Sequence, residues 1–163
     1  MGQKLNLQGH GQRERQVRGP LRPGGKPVQV LLTLRRYRCR SCRATMTVGP
    51  LGLWTRLLFS AAAAGLALCL WGLDKQKEAQ VYAQCNDWSR PLEQPGPRWR
   101  QPGRWVQGVL EGRLWRGLLR GSPPQSLRAV AERVAAALAA RCPPSLWEAP
   151  MAQQVFAGAA LAW

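Results

Sequence analysis

Apolar and polar residues alternate in the first third of the chain and change to helical spacing after residue 60. Apolar side chains at every second position of 28–34 have the period of a β-strand. A basic run at 12–18 predicts a short strand before it, and a turn rich in glycine and proline at 19–27 joins the two. A third short strand is predicted at 44–48.

Helix-forming composition and apolar spacing predict helices in the rest of the chain. They are placed at 61–71, 75–84, 104–119, 127–141 and 151–163. Ser60 and Ser126 are predicted to be N-caps, and Gly112 is a candidate break in the third helix. The segment 86–103 contains four prolines and is interpreted as an irregular connection.

These patterns predict a mainly α protein with a small β-hairpin. Three parts follow along the chain: a basic β-hairpin at 1–50, a helical domain resembling a helix-turn-helix at 51–121, and Ala-rich helices at 122–163. The apolar segment 151–163 is expected to complete the core or to form a homodimer contact.

Charge narrows the choice of partners. The 163 residues carry 24 Lys and Arg against eight acids, a net charge of +16 and a pI of about 11.4. Residues 1–56 hold twelve of the basic residues and a single acid, Glu14. Such a chain favours a polyanion, and DNA is the first candidate because each phosphate contact releases a counterion. The alternative is an arginine-rich composition without a binding role.

Candidate metal ligands are few. Cys39-x-x-Cys42 lies between two predicted strands, which is half of a zinc ribbon, whereas structural zinc takes four ligands. His10 is a candidate third ligand, although a lone histidine in a polar segment is usually exposed. A zinc ion here would therefore have an incomplete ligand set, and the alternative is a hairpin whose thiols hold no metal. Of the remaining cysteines, Cys69 lies in the predicted apolar helix and is interpreted as a core residue, and Cys85 and Cys142 lack metal-like neighbours.

Catalysis is not expected. The acids are scattered, there is one histidine, and no phosphate-binding G-x-x-x-x-G-K-[ST] motif is present. Residues 1–30 lack the apolar region of a signal peptide, and the cysteines suggest no disulfide framework. A cytoplasmic protein is the expectation.

One apolar segment allows a different function. Residues 57–73 contain no charge and reach the lower limit for crossing a bilayer, so the alternative is a small single-pass membrane protein anchored there. Only in that interpretation is a membrane the partner. Five alanines in this segment favour a buried helix instead.

The predicted DNA contacts come from two regions. Five arginines around the cysteine pair are expected to contact phosphates: Arg35, Arg36, Arg38, Arg40 and Arg43. A second set belongs to the helices: Lys75, Lys77 and Gln80 in one, and Arg100 and Arg104 at the start of another. In a helix-turn-helix the second helix reads the bases, and the sequence leaves open which helix that is.

Several motifs resemble a known family. GHGxRxRQxRGP at residue 9, RRYRCRSCRATMTVGPxG at residue 35 and FSAAAAGLALCLWGL at residue 59 are similar to bacterial helix-turn-helix proteins related to the DNA-binding part of insertion-sequence transposases. The resemblance implies a zinc ribbon joined to a helix-turn-helix. In that family two further cysteines usually precede the region matched here, and this sequence starts without them. A non-catalytic DNA-binding protein, or a remnant of a mobile element, is the implied function.

Overall fold

The computed structural model describes residues 6–54, 57–86, 99–121 and 126–162. Of these residues, 41% are helical and 23% lie in strands. The elements in chain order are β1 (Leu7–Pro20), β2 (Pro27–Cys39), β3 (Thr45–Val48), α1 (Ala61–Gly72), α2 (Glu78–Cys85), α3 (Gln101–Leu110), α4 (Leu127–Ala139), a 3-10 turn (Pro144–Leu146) and α5 (Met151–Leu161). The prediction of a mainly α protein with a small β-hairpin is therefore wrong, because the fold is mixed α/β.

The sheet is much larger than the predicted hairpin. Its three strands are antiparallel in the order β1-β2-β3, and β1 and β2 have 14 and 13 residues. Val17 lies opposite Val30, and the pairing continues to Leu7 opposite Cys39 across an irregularity between Gly9 and Gln12. Backbone hydrogen bonds hold this polar end of the two strands together, so the pairing there does not need apolar side chains. For this reason apolar periodicity alone predicts strands that are too short.

The helices pack around α1, which is buried along its whole length. A helix that is apolar on all sides requires neighbours on all sides, and α2, α3, α4 and α5 supply them. Gly65 of α1 faces α5 so closely that an added Cβ would lie 2.5 Å from the Cβ of Ala159. α5 thus completes the core, which was one of the two expectations for this segment.

The hairpin joins the helices near its turn. The Arg18 amide donates to the Leu58 carbonyl at 2.7 Å, and the Arg15 guanidinium donates to the carbonyls of Trp54 and Leu57. Further along β2, the buried Leu34 lies beside Gly49. Beyond Leu34, residues 35–50 are exposed or half-buried. We call residues 7–12 and 35–48 the β-arm.

Both predicted N-caps are confirmed. The Ser60 hydroxyl accepts from the Ala63 amide at 3.1 Å, and the Ser126 hydroxyl accepts from the Ala129 amide at 3.2 Å. These contacts fix the first residues of α1 and α4, because each satisfies an amide that has no partner within the helix.

The third predicted helix, 104–119, is wrong in both bounds. α3 runs from Gln101 to Leu110, and Gly112 then takes a φ of +67° that ends the helix near the predicted break. α2 begins at Glu78 rather than at residue 75, since Lys75 has a φ of +55°. Of the predicted irregular connection 86–103, residues 87–98 lie outside the described residues.

The apolar segment at 57–73 is part of the core. α1 has 12 residues, a length of about 18 Å against the roughly 30 Å of a bilayer interior. Within the ranges given above, no helix is long and apolar enough to cross a membrane. The buried-helix interpretation of this segment therefore holds over the membrane anchor.

Candidate nucleic-acid interface

The β-arm carries the densest positive charge of the protein. Alternation along β2 places Arg36 and Arg38 on the face that also carries Leu34, and Arg35 on the opposite face. Arg40 and Arg43 follow in the turn between β2 and β3. Arg36 is half-buried and the other four are exposed. The arm is therefore basic on both faces and at its tip.

The cross-strand neighbours of these arginines are neutral. Arg35 lies opposite Gln12 and Val48, Arg36 opposite Thr47, and Arg38 opposite Gln8 and Thr45. Within the described part of the chain, none of the five arginines forms an ion pair with a carboxylate. Their charge is therefore not compensated by the residues that lie opposite them in the sheet.

The turn at the tip, residues 39–44, is closed by backbone hydrogen bonds. The Cys39 amide donates to the Ala44 carbonyl at 2.8 Å, and the Arg43 amide donates back to the Cys39 carbonyl at 3.0 Å. The Arg40 amide donates to the Asn6 carbonyl at 2.9 Å, which ties the turn to the start of β1. Arg43 has a φ of +63°, a left-handed conformation that is unusual for a residue with a side chain. We call residues 39–44 the cysteine knuckle.

The knuckle favours negative charge at its first sulfur. Hydrogen bonds from the Cys42 amide and then the Ser41 amide lower the pKa of the Cys39 thiol to about 7. A cavity of about 250 Å³ opens beside it, lined by Gln8, Arg38, Cys39, Arg40 and Arg43. Three guanidinium groups around one cavity suit a phosphate or another anion.

The structure brings Cys39 and Cys42 together in one turn, and they are not joined by a third ligand among the residues that it describes. Cys39 is half-buried and Cys42 is exposed, so both sulfurs can be reached by a metal ion. In the part of the chain that the structure describes, no three His, Cys, Asp or Glu side chains are grouped as a metal would require. His10, the candidate third ligand, is exposed at the irregularity of β1. A closed four-ligand zinc site therefore does not fit these residues alone.

The buried cysteines are core residues. Burial raises the pKa of the Cys69 and Cys85 thiols to about 12 each, and Cys142 is buried as well. The Cys69 and Cys85 thiols are therefore neutral at physiological pH.

The helical candidates lie on other elements. α1 and α2 follow one another with a short turn at 73–77, in which the Lys75 ammonium lies 2.6 Å from the Glu132 carboxylate. Gln80 accepts the Lys77 amide at 3.0 Å and so caps α2, which has only eight residues. Of this predicted set, Lys77 is exposed, and its ammonium group forms no ion pair with a carboxylate in the described ranges.

Arg100 and Arg104 are exposed at the start of α3. They line a groove of about 590 Å³ with Glu78 of α2 and with apolar side chains such as Trp71. Because a carboxylate shares this groove, its positive charge is partly compensated. Together, the predicted contacts form one cluster on the β-arm and two smaller sets on the helices.

Sequence reasoning did not include Arg13 among the contacts. Arg13 lies opposite Leu34 and is exposed, so it extends the basic face formed by Arg36 and Arg38. Arg15, two residues along on that face, turns inward to the Trp54 and Leu57 carbonyls. The sequence signal for this face is the alternation of arginines at 13 and 15 with polar residues. It predicts only a short strand at 12–18, whereas β1 runs from Leu7 to Pro20.

Comparison of the chain with protein-family models, with curated proteins and with solved structures gave no match. The resemblance to helix-turn-helix proteins related to insertion-sequence transposases therefore stays a prediction.

Proposed function

We propose that this chain is a non-catalytic DNA-binding protein and that its β-arm makes the principal contacts with the duplex. A two-stranded antiparallel ribbon has the dimensions of the DNA major groove, and several proteins read DNA with such ribbons. In the β-arm, β1 and β2 pair in this antiparallel way, and β3 adds a third strand beside β2 at Arg35–Arg38, so the arm is a small sheet of the kind that other proteins lay in a DNA groove. The predicted helix-turn-helix contacts become secondary in this proposal.

The observation that carries the proposal is the uncompensated charge of the β-arm. Five arginines fall within nine positions, on both faces and at the tip, and none of them meets a carboxylate among the described residues. A phosphate backbone flanks a groove on both sides, so charge on both faces of an inserted ribbon can be neutralised. The cavity at the knuckle provides a place for one phosphate.

Two further features support this function. The five cysteines are all free, as expected in a reducing compartment, and we propose a cytoplasmic location. The relation to a transposase DNA-binding region, intact or as a mobile-element remnant, rests on the resemblance of the motifs alone.

The proposal predicts a specific effect on the salt dependence of binding. Substituting Arg36→Ala together with Arg38→Ala should weaken binding to any duplex and reduce the steepness of log Kobs against log salt concentration by about 1.8, since each lost phosphate contact contributes about 0.9. Fluorescence anisotropy with labelled duplexes of several sequences measures both quantities.

The matched control removes the same charge from the helical part. Arg116 and Arg141 are both exposed, so their joint substitution by Ala changes the net charge equally. It should leave the salt dependence almost unchanged. Equal effects of the two double variants would show that net charge alone drives binding and would refute a role for the arm. A loss confined to one duplex sequence would show that Arg36 and Arg38 read bases instead.

A further inference from the structure

One face of the β-arm is open to solvent and carries an aromatic side chain. Cross-strand pairing places six residues on this face: Gly9 and Gln12 of β1, Arg35 and Tyr37 of β2, and Met46 and Val48 of β3. Tyr37 is half-buried and the other five are exposed. The buried Leu34 lies on the opposite face, because successive side chains of a strand alternate. We call these six residues the outer face.

Tyr37 lies at the centre of the outer face, with Gly9 on one side and Met46 on the other. Gly9 contributes no side chain, and a Cβ built there would meet no atom within 4 Å. The Tyr37 ring therefore does not cover Gly9, and the space beside the ring is open. Met46 and Val48 are 40% and 52% exposed and add apolar surface. A flat ring can stack on such a platform.

The surroundings of Tyr37 are positively charged. Arg35 lies two residues away on the same face, and Arg40 and Arg43 follow in the turn at the tip. The acid of β1, Glu14, lies opposite Thr33, which is about 13 Å along β2 from Tyr37. A ligand that suits this face combines flat rings with regularly spaced negative charge. Unpaired bases on a phosphate backbone have this chemistry, whereas the bases of a duplex are stacked on one another.

We propose that the outer face binds single-stranded DNA, with one unpaired base stacked on Tyr37 and an adjacent phosphate on Arg35. This inference rests on the proposed function in taking DNA as the polyanion. Arg36 and Arg38 lie on the opposite face, so different sides of the arm contact the single strand and the duplex. An arm with these two faces fits DNA at which a duplex meets an unpaired segment.

The test compares a labelled oligothymidylate with a labelled duplex by fluorescence anisotropy of the full chain at one salt concentration. Tyr37→Ala should weaken binding of the oligothymidylate about tenfold or more, because the stacked base loses its partner, and should change duplex binding less than about twofold. Tyr37→Phe is the matched control, since it keeps the ring, and it should bind the single strand as the unmodified chain does.

A second variant keeps Tyr37 and fills the space beside it. Gly9→Val adds a side chain where the structure has room, and the φ of Gly9 is not in the left-handed region, so the strand should form. It should also weaken binding of the oligothymidylate and leave duplex binding unchanged. Leu21→Ala removes a 72% exposed apolar side chain from the β1–β2 turn, outside the arm, and should change neither.

Failure of this inference and failure of the proposed function give different results. If Tyr37→Ala and Gly9→Val bind the oligothymidylate as tightly as the unmodified chain, or if that chain does not bind it, the inference is overturned while duplex binding stands. Equal losses on both DNAs would overturn it too, as would tighter binding of oligouridylate than of oligothymidylate. If the chain binds the single strand but no duplex, the proposed function fails and the single-strand site stands.

Discussion

At the residue scale, the cysteines show how surroundings decide chemistry. Cys39 lies in a turn whose amides stabilise its thiolate, whereas Cys69 and Cys85 are surrounded by apolar side chains. The sequence separated Cys39 from Cys69 through the C-x-x-C spacing and the alanine-rich neighbourhood. It could not show that Ser41 and Cys42 donate to the sulfur, because that depends on the folded turn.

The pKa directions predict which thiols react with iodoacetamide. In metal-free protein, Cys39 should be alkylated at neutral pH, with a rate that rises as the pH passes about 7 and the thiolate forms. Cys69 and Cys85, with pKa values of about 12, should stay unmodified until the protein unfolds. Peptide mapping by mass spectrometry after a short pulse measures this order. Faster labelling of Cys85 than of Cys39 would contradict the described burial.

At the element scale, sequence predicted the helices better where composition and caps agreed. α1 and α4 begin where Ser60 and Ser126 predicted, because a hydroxyl at the N-cap has a local physical effect. The end of α3 was missed because Trp115 and Leu118 continue an apolar spacing after the helix has stopped. Both side chains are buried although they lie on an irregular segment of backbone. Apolar periodicity alone therefore does not distinguish this irregular segment from a continuing helix.

For the sheet, the sequence predicts strands that are shorter than those of the structure. The core of β2 at 28–34 was predicted from alternation, but the arm beyond it contains mainly polar and basic residues. Its strand conformation comes from backbone pairing with two other strands. The paired part of β1 is distant along the chain, and β3 follows across a turn. The sequence therefore predicts the cluster of arginines that forms the candidate site. It does not predict the extended sheet that carries them.

Close packing of α5 predicts a large effect of one methyl group. A Cβ added at Gly158 would lie 1.8 Å from the Leu138 carbonyl oxygen, so α4 and α5 would have to separate. Gly158→Ala should lower the free energy of unfolding by at least about 2 kcal/mol, since overpacking against backbone cannot relax through a side chain.

A helical glycine with space provides the control. At Gly103 of α3, an added Cβ meets only the Leu127 side chain at 3.7 Å, an ordinary contact. Gly103→Ala should be neutral or stabilising by up to about 1 kcal/mol, because alanine favours the helix. Urea unfolding followed by circular dichroism compares the two. Similar stabilities would mean that α4 and α5 are not packed as described.

At the scale of the whole molecule, helical packing and charge are separated. The buried apolar residues cluster around α1, whereas the densest group of arginines lies on the β-arm. Lys75, in contrast, is paired with Glu132 and thereby links the α1–α2 turn to α4. Because residues 35–48 lie outside this cluster, we expect substitutions there to leave the core intact, so the arm can be tested separately.

The most direct test of the account is arginine modification by phenylglyoxal with and without a short DNA duplex, followed by peptide mapping. We predict that DNA protects the exposed arginines of the arm, Arg35, Arg38, Arg40 and Arg43, while Arg100 and Arg104 on α3 are modified at nearly the same rate as in free protein. Protection of Arg100 and Arg104 with an unprotected arm would contradict the central claim and return the DNA contacts to the helices.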